Sequence, residues 1–166
     1  MTESDLRAGE AAAVARVSGV YVDDPQANPE RAGFATHGDW NATIRADDEG
    51  ILALEMRLNC FPTVVTTASF RLPAEWTGER SPVELLNFDF HAVDAHVRNE
   101  PGTETIEGTL HVAASEGGMS GSFEGVVEAP LVTWDIPDGL NYEVSPVTGQ
   151  VGEIHGFAFR DLELAP

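Results

Sequence analysis

A chain of 166 residues with 42% hydrophobic composition is long enough for one core and too short for two comfortable domains, so one domain is expected. Its 28 acidic residues face only 9 basic ones, all arginine, and the formal charge of −19 repels nucleic acid and anionic membrane, which excludes both as partners. A single cysteine, Cys60, excludes an internal disulfide and a cysteine-based zinc site, and no apolar run approaches the ~20 residues that span a bilayer.

Residues 1–16 read as an arm or a short helix capped at Ser4, with Asp5 in its first turn. The segment is acidic where a secretory signal is basic, and its apolar run AAAVA is too short for such a signal, so a cytoplasmic location is the default expectation. Strand-like sequence begins at Val17–Val22 and is interrupted by the loop Asp23–Gly33. From Phe34 the alternation is clean, with Phe34, Thr36, Gly38, Trp40, Ala42 and Ile44 on one face. The turn Asp47–Gly50 leads into Ile51–Phe61, where Leu52, Leu54, Met56 and Leu58 share a face, so this is a hairpin with one buried side. Cys60 continues that apolar phase and reads as a small buried hydrophobe. Thr63–Leu72 is a β-branched strand with Val64, Thr66, Ala68 and Phe70 in phase. Pro73–Pro82 is a loop bounded by prolines, with Trp76 at its centre, packed on the outside or capping a cavity.

Val83–Arg98 is too long for an ordinary strand, and its hydrophobic phase flips. Leu86, Phe88, Phe90 and Ala92 share one phase, and Val93, Ala95 and Val97 take the other. A strand's side chains alternate between faces, so the flip predicts a bulge, a bend or a change of partner near Ala92 and Val93, the corner of a barrel. After the turn Asn99–Gly102, a second hairpin buries Ile106, Leu110 and Val112 against Met119, Phe123 and Val127. Gly108, Gly121 and Gly125 fall in the phase of its large residues, as strongly coiled strands require. Short strands at Leu131–Ile136 and Leu140–Val144 and a final segment, Val151–Leu164, complete an all-β pattern. Inward glycines and long coiled strands favour an antiparallel barrel of about eight to ten strands over residues 17–166. A jelly-roll sandwich is the alternative.

The C-terminal stretch SPVTGQVGEIHGFAFRDLEL resembles the closing hairpin of the allene-oxide-cyclase and dirigent-like β-barrels, which include bacterial spirotetronate-type cyclases. The matching residues are Thr148, Gly149, Gly152, Gly156 and Phe157, a Thr-Gly turn followed by a Gly-Phe strand start. The resemblance implies an apolar barrel interior that binds a reactive small molecule and shapes its cyclisation without a cofactor.

Asp and His recur at i, i+2 spacing in His37 with Asp39, Asp89 with His91, and Asp94 with His96, which sets both side chains of a pair on one strand face about 7 Å apart. Two such pairs on neighbouring strands would supply a metal site or an oriented general base. On so acidic a chain, pairs in the polar phase equally describe solvated surface. Any lumen draws its walls from Trp40, Met56, Phe70, Phe88, Phe90, Phe123, Trp134 and Tyr142, an aromatic lining that suits a ligand pocket or an ordinary core. Tyr21, Glu55, Glu84 and Tyr142 are the polar groups expected beside it and the candidate catalytic residues.

Three functional readings follow. One is binding of a small apolar molecule, with cofactor-independent cyclisation of a polyketide-like substrate. The others are a non-enzymatic structural or interaction domain, self-associating or within a larger assembly, and a metal-dependent barrel enzyme using the Asp/His pairs.

Overall fold

A computed structural model describes residues 2–21, 34–58, 64–92, 97–133 and 147–165, with 17–21, 34–40, 92, 133 and 147–150 described by backbone alone. A short 3-10 turn (Glu3–Asp5) precedes nine strands: β1 (Ala11–Tyr21), β2 (Phe34–Ala46), β3 (Ile51–Leu58), β4 (Val64–Arg71), β5 (Ser81–Ala92), β6 (Val97–Asn99), β7 (Thr105–Ser115), β8 (Gly118–Thr133) and β9 (Val147–Leu162). Apart from β6 and β7, which both pair with β5 and β8, strands adjacent in sequence pair antiparallel, and β9 returns to pair with β1, so the sheet closes into a barrel. A closed meander has no free edge, which removes the jelly-roll alternative. Among the described residues no helix is long and apolar enough to cross a membrane.

β6 and β7 occupy one position between β5 and β8, which makes eight staves from nine strands. Arg98 and Leu110 pair with His91 and Val83, so thirteen residues of this stave run beside nine of β5. The surplus loops out at 100–104 and leaves a stretch of β5 backbone without a ladder partner on that side. Side chains take over: Phe90 N–H donates to Asn99 Oδ1 (2.8 Å), Asn99 Nδ2 donates to Phe88 O (3.0 Å), and Phe88 N–H donates to Glu104 Oε1 (3.3 Å). Asn99 is thereby buried with its amide satisfied.

The interior is filled by small residues facing large ones. Ala11 lies opposite Phe159, and Ala13 opposite Phe157. Phe157 stacks on Phe123 with ring centroids 5.1 Å apart and leans on Phe88 at 6.5 Å. A Cβ on Gly121 would fall 2.6 Å from the Phe159 ring and 2.7 Å from His111 O. This explains why β1 begins at Ala11, inside what reads as an N-terminal arm: Ala11, Ala13 and Ala15 are fully buried interior positions where larger side chains would displace phenylalanine. The arm is reduced to residues before Ala11. Leu6 packs on the outer wall against Ala12 and Ala158, Arg160 Nη1 donates to Leu6 O (2.7 Å), and Arg80 bridges Glu3 and Ser122.

Strand irregularities set the inward phase. On β9 the buried residues other than Ala158, which Leu6 covers, run Gly152, Ile154, Phe157, Phe159, Leu162, stepping by three across bulges at Gly156 (φ +78) and Asp161 (φ +50). On β5 the register slips where Phe70 meets Leu85 and Ser69 meets Asn87, which turns Leu86 outward to 38% exposure. A phase change of β5 therefore falls at Leu85–Asn87, β5 and β6 pair antiparallel through His91–Arg98 and Ala92–Val97, and Val93 and Ala95, where the flip is expected, lie outside the described residues. The stretch is a bulged strand and a hairpin partner, because the hydrogen-bonding edge opposite β4 stays in step only if one residue is looped out. Gly108 and Gly125 do not line the interior as expected. They face each other across β7 and β8, Gly108 exposed, each with positive φ and with a Cβ position within 2.2 Å of a carbonyl oxygen. Thr148 and Gly149, a turn by the family resemblance, lie within β9, with Thr148 opposite Val20. The expected strand at Leu131–Ile136 is the end of β8 as far as Thr133, and Leu140–Val144 lies outside the described residues.

One rim carries the turn 47–50, the loop 72–80 and the β7–β8 turn. Asp47 Oδ1 accepts from Glu49 N–H (2.8 Å) and Ile51 N–H (2.9 Å) there, and Trp76 packs against the core with Nε1 donating to Glu79 O (3.0 Å). The strand ends at Tyr21, Phe34, Leu58, Val64, Ala92, Val97, Thr133 and Val147 form the opposite, far rim. Gly121→Ala is expected to lower unfolding free energy by about 1–3 kcal/mol, since backbone at His111 cannot yield to the new Cβ. Asn99→Ala is expected to lower it by about 3 kcal/mol by orphaning two buried backbone groups, against a change within about 0.5 kcal/mol for exposed Glu100→Ala. Urea denaturation measures both.

Candidate functional site

Of the expected interior wall, Met56, Phe70, Phe88, Phe90 and Phe123 are all buried at 1% exposure or less. Trp40 lies opposite Ala11 in the β1–β2 register, and Trp134 and Tyr142 lie outside the described residues. The phenylalanine side chains divide the barrel along its axis. Phe88, Phe123, Phe157 and Phe159 pack the half toward the turn rim. Phe90 sits one step inside the far rim and reaches across the interior, so that a Cβ on Gly152 of β9 would meet its ring at 2.8 Å. Beside Phe90 in register is Thr66, fully buried, with Met56 on its other side. Its Oγ1 has no hydrogen-bond partner in the protein. The sequence places Thr66 in the apolar phase of its strand, but β propensity alone explains a threonine there, and nothing local marks it as functional.

The candidate carboxylates are not beside this interior. Glu55 pairs with Thr43 and Thr67, Glu84 pairs with Arg71, and both are exposed on the outer wall, one residue out of phase with Met56 and Val83. Tyr21 closes β1 at the far rim.

The Asp/His pairs are dispersed. His37 and Asp39 are on β2, Asp89 and His91 on β5, with β3 and β4 between, so the two pairs are not on neighbouring strands. Asp94 and His96 lie outside the described residues. Among the described residues no group of three or more His, Cys, Asp or Glu side chains could hold a metal ion. His155 is exposed and bonded to Glu153 (2.6 Å), beside an acidic outer hollow of about 340 Å³ that includes Glu107 and Glu128.

Asp89 and His91 do contribute to a second hollow. A pocket of about 280 Å³ lies against β4, β5 and β6 under the 100–104 loop, lined by Val65, Thr67, Asp89, His91, Arg98 and Pro101. Arg98, Asn99 and Glu104 complete its polar surroundings, and none carries a sequence signal beyond the turn that follows Asn99. The Asp89 carboxyl is held above the ordinary carboxylate range, first by partial burial and then by the nearby Glu104, with Arg98 pulling the other way. A carboxyl whose folded pKa exceeds its unfolded value takes up a proton on folding, so its ionisation weakens the fold as pH rises through that window. Asp89→Asn is therefore expected to be more stable than wild type at pH 7, with the difference vanishing as pH falls to the ordinary aspartate pKa, as thermal melts across pH 4 to 7 would record.

Fold and interior together define a closed, eight-stave meander barrel with an apolar, phenylalanine-rich inside and an acidic outside. No protein-family model, curated protein or solved structure matches the chain.

Proposed function

We propose that the barrel is a container for a small apolar molecule, held by its apolar, phenylalanine-rich interior. The observation that carries this reading is the composition of the interior, whose largest fully buried side chains are phenylalanines and which, beside Phe90, holds a threonine hydroxyl without a protein partner. Binding pockets combine such apolar walls with a few polar groups, and eight-stranded barrels have room for one small ligand. The described interior carries no charged side chain among its buried residues, so the ligand is uncharged where it meets the wall.

Cyclisation is the chemistry this reading extends to. A flexible, polyketide-like chain folded against a rigid aromatic floor loses the conformational freedom that otherwise separates its reacting ends, and that alone accelerates ring closure. Such a reaction needs shape and one or two hydrogen-bonding groups, and no cofactor.

Titration with the apolar fluorophore N-phenylnaphthylamine tests the container. Saturable binding at one probe per chain, with enhanced probe emission and quenched tryptophan fluorescence, is expected. An unsaturable or absent response would sink the reading.

A further inference from the structure

The hollow beneath the 100–104 loop lies on the outer wall, apart from the barrel interior, and its charges are sorted along the strands. Val65 on β4 pairs with His91 on β5, and His91 pairs with Arg98 on β6, so these side chains stand side by side on one rung. Beyond Val65 the same rung continues to Arg57 on β3. The next rung of this face joins Thr67 to Asp89 and continues to Glu55. Two residues along a strand separate the rungs, about 7 Å, so the hollow spans a basic rung and an acidic one. Val65 and Pro101 supply apolar lining, and Glu104 of the loop adds a second carboxylate near Asp89.

Burial raises the Asp89 carboxyl first, and Glu104 then acts on it more strongly than Arg98 does, so the acidic end is short of positive charge. The other end carries His91 and Arg98. A ligand with a single charge satisfies one end and desolvates the other, which is costly. A ligand with adjacent opposite charges satisfies both. We propose that this hollow is a binding site for a small zwitterion, an α-amino acid with an apolar side chain. Its carboxylate meets Arg98 and His91, its ammonium meets Asp89 and Thr67, and its side chain lies against Val65 and Pro101. A guanidinium presents a planar fork that matches a carboxylate, and an ammonium donates hydrogen bonds that a carboxylate and a hydroxyl accept. The hollow of about 280 Å³ limits the ligand to about nine non-hydrogen atoms, at the ~30 Å³ that a water molecule occupies in the liquid, which is the size of leucine. The site is independent of the container reading, since it lies outside the barrel.

The test titrates the full chain at pH 7 with leucine and with two compounds that each lack one of its charges, isocaproate and isoamylamine. Amide and arginine Nε–H resonances are followed in proton–nitrogen correlation spectra. Wild type is expected to bind leucine about tenfold more tightly than either compound, with the shifts centred on Asp89, His91 and Arg98. Asp89→Asn should lose the margin over isocaproate and keep the margin over isoamylamine, and Arg98→Gln should do the reverse. Spectra and thermal melts confirm that each variant folds, and Asp89→Asn tests the site by itself where Arg98→Gln does not fold. An affinity of wild type for leucine no greater than for the singly charged compounds would overturn the proposal, as would unchanged selectivity in a folded Asp89→Asn protein. Binding of N-phenylnaphthylamine is a separate measurement, and its outcome bears on the container alone.

Discussion

A closed barrel of eight staves encloses a volume that its own inward side chains must fill, and this chain fills it by setting small residues against large ones across neighbouring strands. Alanine on β1 faces phenylalanine on β9, Gly121 on β8 makes room for Phe159, and Gly152 on β9 accepts the ring of Phe90 from the far side. Closure depends on this complementarity, because β1 and β9 are the first and last strands and their pairing is the seam. Larger side chains at Ala11 or Ala13 would compete with Phe159 and Phe157 for the same space, and the seam would open before the core could repack.

The same need to keep the wall continuous accounts for the irregularities. Two bulges on β9 and one on β5 rotate the inward phase without breaking the ladder, which lets strands of eleven to sixteen residues coil around a narrow core. The gap between β6 and β7 is the largest departure, and it is closed by side chains. Asn99 and Glu104 bond the β5 backbone where a strand would have done so, and the loop they anchor covers the pocket in which the Asp89 carboxyl is partly desolvated. Repair of the wall and perturbation of Asp89 are thus two consequences of one insertion.

Charge is segregated from this interior. The buried residues described include no acidic or basic side chain, so the carboxylates whose burial is described lie on the outer wall and the loops. Glu55 and Glu84 illustrate the reason: on a strand with one buried face, a residue next to an inward methionine or valine points outward by the period of two. Their place in the alternation settles against a role beside the lumen, whatever their chemistry.

Much of the architecture was legible in the residues because alternation and turn chemistry are local properties. The strands read from Phe34 onward, over Ile51–Phe61 and over Thr63–Leu72 correspond to β2, β3 and β4, the Asp47–Gly50 turn is where Asp and Gly place it, and Met56, Phe70, Phe88, Phe90 and Phe123 belong to the core that their phase assigns. What the residues could not decide depends on partners distant in the chain. Ala11–Arg16 reads as an arm until Phe157 and Phe159 show why small residues are required there, and the bulge at Leu85–Asn87 exists only to keep step with β4. Asp89 becomes a perturbed carboxyl only beside Glu104 and Arg98. Thr66 is an ordinary β-branched residue in sequence. Only the closed barrel, which buries it with its backbone already paired on both sides, makes its hydroxyl conspicuous. Sequence determined the strands and their inner faces, since these follow from the period of a single chain segment. The enclosed interior and the groups isolated within it were decided by closure, which brings together the first strand and the last.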